Sequence, residues 1–432
     1  MLLSNGCLIV FVLDVNRMKV LWITNVMMPP ICEALNLNIP VVGGWMYSSA
    51  KRLLQKGNIE LSVACTNRFS REFIDKTIDG VRYFVLPLHY RSVDKAHAFL
   101  REYWKRVDEA VKPDIVHLHG TEFAHGLDYI EANGGNKVVV SIQGLVSVYY
   151  YYYYYGGIRE RVVKRYFTMA DLLRRNTMVD GAKGFARRGN VEREILQKVN
   201  YIIGRTEWDK AHSWEINPKA RYYFCSETMR DEFYKHTWNY NECEKHSIFV
   251  SQAGYPLKGL HQILEALPLV LKYYPDTKVY IAGKDITNRK PWYKYVGYGK
   301  YIRHLIRKYN LKGHIFFTGL LNEQAMCERY LKSNLFICPS AIENSPNSLG
   351  EAQLLAMPYL ASYVGGSMDL VGSNTASLYR FEETVMLAKK ICEVFAKEVF
   401  ESNRDEVCWR YDSQKNVRDL LAIYEDVLSQ KG

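Results

Sequence analysis

The sequence predicts an α/β protein built from two doubly wound, Rossmann-like domains. Three observations predict it. The chain has 432 residues, too many for one ordinary domain. Short apolar runs rich in β-branched residues alternate with helix-period patterns, as parallel sheets covered on both faces require. That alternation occurs twice, and the two series are separated by the polar stretch Asn239–His246.

The first series opens with Lys19–Thr24 (KVLWIT), a buried strand. A helix follows over Trp45–Leu54, after the Gly43-Gly44 turn. Leu61–Thr66, Asp114–Leu118, Lys137–Ile142 and Tyr201–Gly204 read as further strands. The second series opens with Ser247–Ser251, then a helix from Gly259 whose Leu260, Ile263, Leu264, Leu267 and Leu271 keep helical spacing. Pro268 interrupts that pattern. Lys278–Ala282, His314–Thr318, Leu335–Cys338 and Tyr359–Ser362 are its remaining strands. The expected domains are 18–240, 241–410 and a final helical segment 411–432. Residues 1–17 are read as an extension outside the fold, because Met18 directly precedes the first strand.

Composition narrows the function. Hydrophobic residues at 48% and charged residues at 24% allow a large core and disfavour disorder. A formal charge of +11 fits phosphorylated ligands, an anionic membrane surface or nucleic acid. No nucleic-acid motif accompanies the basic residues, so nucleic acid is not an expected partner. Nine widely spaced cysteines without a C-x-x-C pair argue against a disulfide framework or a structural zinc, and for a reducing cytoplasm. No apolar run approaches the roughly 20 residues that cross a bilayer. Two unusual segments adjoin each other. Seven consecutive tyrosines, Tyr149–Tyr155, read as a drifted surface loop or an aromatic surface beside an acceptor. The basic stretch from Arg159 to Arg193 reads as a solvated helix face, or a face toward anionic lipid or an acceptor phosphate.

Four constellations carry chemistry. In Glu343-Asn-Ser-Pro-Asn-Ser-Leu-Gly-Glu351, two carboxylates flank a strand-to-helix turn, with Asn347 or Ser348 as N-cap. The helix start presents N–H groups and a positive dipole end to a diphosphate. The carboxylates can accept from sugar and ribose hydroxyls. Lys258-Gly259, after the first strand of the second series, offers a point charge to a leaving phosphate. His117 and His119 alternate at the carboxyl end of a parallel strand, on one face, where open sheets bind ligands. Gly43-Gly44 lets backbone approach a phosphate or sugar. No G-x-G-x-x-G or G-x-x-x-x-G-K-[ST] pattern occurs, which removes dinucleotide and P-loop readings.

Together these motifs resemble family 4 glycosyltransferases, retaining enzymes of the GT-B fold. The likeness runs from Met18 over nearly the whole chain. It rests on Gly43-Gly44, Asp114–Gly120, Lys258-Gly259 and the E-x7-E motif Glu343–Glu351. Ser141–Gly144, Gly204–Asp209 and Arg230–Tyr234 resemble a bacterial branch that makes capsular or other extracellular polysaccharide. The resemblance implies two domains facing across a cleft, the last helix crossing back, and transfer with retention from a nucleotide-diphosphate sugar to a saccharide or lipid-linked saccharide. It implies no cofactor and no metal. His119, with His117 as fallback, and Glu343 would meet the donor sugar, Lys258 the diphosphate, and Glu351 the ribose. Many members add an arginine about five residues before the motif lysine; here Ala253 stands there, and Arg205 is either a substitute from across the cleft or a structural residue. Peripheral attachment to the inner membrane face is a further implication. The rival readings are a sugar-nucleotide epimerase and a catalytically silent binder of nucleotide sugar or polysaccharide.

Overall fold

The computed structural model describes residues 17–430 except 41–42, 57, 69, 90, 289 and 401–403, and leaves the Tyr152 side chain undescribed. Residues 1–16 of the expected extension, and Val41 and Val42 ahead of the glycine turn, lie outside the described residues.

Two sheets form the frame. The first contains β1 (Met18–Thr24), β2 (Ile59–Asn67), β3 (Ile74–Ile78), β4 (Val81–Pro87), β5 (Ile115–His119), β6 (Val138–Ser141), β7 (Tyr201–Gly204) and β8 (Arg221–Phe224). Their order is β3-β4-β2-β1-β5-β6-β7-β8, and every pair is parallel except β3 with β4. The second contains β9 (Glu244–Val250), β10 (Lys278–Ile281), β11 (Ile315–Phe317), β12 (Ser333–Cys338), β13 (Tyr359–Ser362) and β14 (Leu378–Tyr379), all parallel, in the order β11-β10-β9-β12-β13-β14. Strand order reverses between β1 and β5, and between β9 and β12. A crevice opens at each such point, at the carboxyl ends of the strands.

Both sheets are buried on both faces. Leu21 and Ile23 of β1 pack with Trp104 and Tyr129, whereas Val20 and Trp22 face Met46 and Leu53 on the other side. In β9, Ile248 and Val250 meet Leu260 and Leu264, and Phe249 meets Tyr330. Continuous apolar runs are therefore what these strands need. The helix Leu260–Val270 continues two residues past Pro268. The β3–β4 hairpin turns at Asp79 (φ 50°) and Gly80 (φ 79°), the positive angles that Asp-Gly hairpin turns favour.

Three packing facts depart from a simple two-part division. Met229, Phe233 and Trp238 pack with Phe249, Tyr330 and Phe336, so the last residues of the expected range 18–240 belong to the second core. Ile158, Val163 and Met178 also pack against the second domain, with Leu260, Ile263 and Tyr298. This strap is pinned where His261 Nε2 donates to the Gly156 carbonyl at 2.7 Å and receives the Tyr298 hydroxyl on Nδ1 at 3.1 Å. Gly156 has φ +57°, and a Cβ there would overlap the Pro256 carbonyl. Finally, helix Ser413–Ser429 lays Val417, Leu420, Ile423, Tyr424 and Val427 against the first sheet.

Tyr424 anchors that helix. Trp22 Nε1 donates to its hydroxyl at 3.0 Å, and the hydroxyl is 2.6 Å from His117 Nδ1. Tyr424→Phe strands both partners inside the core. It is expected to cost about 1–3 kcal/mol in urea denaturation, with no change of fold by circular dichroism.

Candidate active site between the two sheets

The E-x7-E segment leaves β12 at its carboxyl end and enters helix Asn347–Leu354. Pro346, not Asn347 or Ser348, is the N-cap, and no side chain caps the helix. This corrects the sequence expectation. Asn347 instead donates from Nδ2 to Glu227 Oε2 at 2.9 Å. The helix start therefore keeps its positive end for a ligand.

The segment is held from both sides. Gly366 N donates to the Glu343 carbonyl at 3.0 Å. From the first domain, Thr206 Oγ1 donates to Asn344 Oδ1 at 2.7 Å, and Asn344 Nδ2 donates to Asp209 Oδ2 at 2.8 Å. Gly204–Asp209, in which the sequence offered a role only for Arg205, thus grips the loop that carries Glu343.

Both motif carboxylates are paired. Lys258 Nζ and Ser340 Oγ each donate to Glu343 Oε1 at 2.6 Å. Burial alone would lower the Lys258 ammonium; the adjacent Glu343 carboxylate outweighs it and holds the group above its ordinary value. Glu351 Oε1 accepts from Arg230 Nε at 2.6 Å. Burial pushes the Glu351 carboxyl up, and the Arg230 guanidinium opposes the shift. Lys258, Arg230, Glu343 and Glu351 all line one cavity of about 670 Å³, together with Gly43, Gly44, Asn347 and Ser348. Gly43 has φ +81°, and a Cβ there would come within 2.6 Å of Val26 Cγ2.

The histidines lie in an adjoining pocket of about 40 Å³ that shares Trp45 with the larger cavity. Their rings stack at 3.9 Å. His117 is fully committed: its Nδ1 hydrogen-bonds the Tyr424 hydroxyl and its Nε2 hydrogen-bonds Ser141 Oγ, each at 2.6 Å. His119 is buried with no partner on either nitrogen. Burial lowers its pKa to about 3, so the ring is neutral. Of the pair, His119 alone retains hydrogen-bonding capacity for a ligand.

Arg205 lines the histidine pocket but not the large cavity. Its guanidinium is buried against Glu227 at 2.8 Å and donates to the Ile142 and Gln143 carbonyls at 3.1 Å. That charge is already answered, so Arg205 is not placed to stand in where Ala253 leaves a gap. Two cations in the cavity were not assigned from sequence. Arg230 runs beside the glycine turn: its Cδ would be 3.8 Å from a Cβ at Gly44. Lys284 stands exposed after β10. The signal for Lys284 was its place after a strand's carboxyl end. Arg230 stood out only as the start of the Arg230–Tyr234 resemblance and without a role, since its partner is 121 residues away.

The tyrosine run is no single surface loop. It begins inside helix Val146–Tyr152. Tyr149 stacks on Trp208 at 6.1 Å, Tyr154 is buried against Phe185 at 4.9 Å, and Tyr151 is exposed. Among the described residues, no three histidine, cysteine or carboxylate side chains gather to hold a metal, and no helix is long and apolar enough to cross a membrane.

Comparison with known proteins identifies the fold. A solved structure of Anabaena Alr3699/HepE, in complex with UDP and glucose, superposes with a TM-score of 0.62 over 95% of this chain and 100% of that one, at 13% identity. The fold is thus the two-domain GT-B arrangement. Residues 231–407 match the family described as glycosyl transferases group 1. Spore coat protein SA of Bacillus subtilis (strain 168) is 24% identical over 208 residues, 46% of this chain and 52% of that protein. "Putative teichuronic acid biosynthesis glycosyltransferase TuaC" of the same organism is 29% identical over 121 residues, 27% of this chain and 31% of that protein. The aligned part thus spans about half the length of the first relative and a third of the second.

His119 offers a direct pH test. Its folded pKa of about 3 lies below the ordinary 6.5. On acidification the unfolded chain binds the proton first. The stability contribution is therefore whole above pH 6.5 and is lost as pH falls toward 3. Wild type should lose stability relative to His119→Gln by at most about 1.4 kcal/mol per pH unit through that window. Denaturant titrations across it measure the difference.

Proposed function

We propose that this chain is a family 4 type glycosyltransferase. It transfers a sugar, with retention and without a metal, from a nucleotide-diphosphate donor to a saccharide or lipid-linked saccharide in extracellular polysaccharide synthesis. The observation that carries this reading is the convergence of Lys258, Arg230, Glu343 and Glu351 on one cavity at the β9–β12 crevice, facing an uncapped helix start. The relatives support it: one is named a putative teichuronic acid biosynthesis glycosyltransferase, and the HepE structure is a complex with UDP and glucose.

The chemistry follows from charge. With Lys284, the cavity has three cations against two carboxylates among the described residues, so it gains from an anionic ligand. The diphosphate lies over the start of helix Asn347–Leu354, between Lys258 and Arg230. Arg230 uses one guanidinium nitrogen on Glu351, and its terminal nitrogens remain for phosphate oxygens. Arg230 thereby fills the role that Ala253 cannot. Glu351 accepts from the ribose hydroxyls. As Lys258 turns to the leaving phosphate, Glu343 is freed to accept from the donor sugar, and neutral His119 bonds a further hydroxyl. The C–O bond from the anomeric carbon to the diphosphate breaks, and the acceptor oxygen bonds to that carbon from the same face. The departing phosphate oxygen takes the acceptor's proton. The protein contributes position and preorganised charge.

Calorimetry with UDP and GDP tests the donor site. Wild type should bind at least one of them. Arg230→Gln and Lys258→Ala should each weaken that binding by about 10- to 100-fold while sparing the nucleoside. Wild type that binds no nucleoside diphosphate would sink the reading. In a transfer assay with the matching donor, His119→Ala, Lys258→Ala and Glu343→Ala should each lower kcat by about tenfold or more. Unchanged turnover in all three would reject these assignments.

A further inference from the structure

A second feature lies outside the cleft. The strap that crosses to the second domain carries Phe167-Thr-Met-Ala-Asp-Leu-Leu-Arg-Arg175. Its short helix, Met169–Arg174, is closed by a capping box between Thr168 and Asp171. Thr168 Oγ1 also donates to the Tyr295 carbonyl at 2.9 Å, which seats the helix beside the turn Trp292–Lys294. Ala170 and Asp171 face inward. Met169 (66% exposed), Leu172 (48%) and Leu173 (72%) face outward, next to Trp292 (62%) and Tyr293 (40%). The Arg174 guanidinium lies 5.1 Å over the Tyr293 ring, so the two segments form one continuous face. Large apolar side chains crowded at one exposed place mark an interaction surface.

Charge selects the partner. Residues 161–175 and 290–300 hold eight lysines and arginines and one carboxylate, Asp171. That carboxylate is buried and engaged by the Thr168 backbone N–H. Nearby Glu160 pairs with Lys164, and Asp285 accepts from Thr287. The surface is therefore a cluster of leucine, methionine, tryptophan and tyrosine ringed by cations. This is the chemistry of an interfacial site: apolar tips enter the acyl boundary, aromatic rings sit at headgroup depth, and basic groups meet lipid phosphates.

We propose that this composite face docks the protein on an anionic lipid bilayer. The face deepens the reading of a lipid-linked acceptor, because the strap that bears it starts at the tyrosine helix beside the cleft. The physical claim stands without that reading. Because the face unites residues from both halves of the chain, docking requires the strap to be seated on the second domain.

Co-sedimentation of the full chain with vesicles tests it. Wild type should pellet with phosphatidylcholine vesicles containing 30 mol% phosphatidylglycerol at least tenfold more than with pure phosphatidylcholine, and 0.5 M NaCl should release it. Leu172→Ser/Leu173→Ser and Arg174→Glu/Arg175→Glu should each reduce pelleting at least tenfold, with melting temperature and nucleoside-diphosphate binding unchanged. Brominated lipid should quench tryptophan emission in wild type, and Trp292→Phe should remove most of that quenching. Equal pelleting with both vesicle types, or variants that pellet like wild type, would overturn the proposal. So would self-association of wild type that Leu172→Ser/Leu173→Ser abolishes without any vesicle binding, which would assign the face to a second copy. Failure of nucleotide binding with intact pelleting would count against the transferase reading alone.

Discussion

The approach of the Lys258 turn to the end of β12 is the constraint on which the rest of this site depends. Gly259 sits at φ +71°, and a Cβ there would overlap the Pro339 carbonyl. Ala341 N donates to the Leu257 carbonyl at 2.8 Å, tying the two crossover loops directly. Only with backbones this close can Lys258 meet Glu343 at 2.6 Å across 85 residues. The ion pair is partly buried, and breaking it from one side would leave a costly unpaired charge. A ligand that takes over the lysine while offering hydroxyls to the glutamate replaces both interactions together.

The same logic governs Arg230 and Glu351. Each carboxylate of the motif is stored against a cation, and each cation lines the large cavity proposed to take the diphosphate. The ligand-free cavity is preorganised, with its charges compensated rather than exposed. Support comes from across the cleft. Asp209, Thr206 and Glu227 of the first domain hold Asn344 and Asn347 of the second. The two domains are coupled through the loop that bears the chemistry.

The first domain is braced in another way. A single hydrogen-bonded line runs from Trp22 through Tyr424 and His117 to Ser141. It engages both nitrogens of His117 and fixes the ring against which His119 stacks. The final helix is thus a structural part of the site although none of its residues lines the large cavity. The strap over Ile158–Met178 adds a further crossing, and its Gly156 contact falls beside the same Pro256–Lys258 turn.

The sequence by itself determined the central strands, because a parallel sheet buried on both faces demands uninterrupted apolar runs such as VLWIT and SIFV. It also located Glu343, Glu351 and Lys258, whose spacing around strand ends is a local property. It missed the β3–β4 hairpin despite the Asp79-Gly80 signal: β3 is an edge strand with mostly exposed residues and little apolar pattern, whereas the buried apolar run of β4 (VRYFVLP) was legible and went unread. The tertiary structure alone decided which residues share a charge. Arg205 and Arg230 are equivalent as letters and each is ion-paired, with Glu227 and Glu351, yet only Arg230 lines the large cavity. His117 and His119 share a face by strand period, but only long-range partners spend one and leave the other free. Ion pairs and hydrogen bonds between distant segments depend on side-chain approach in space, and no periodicity along the chain encodes it.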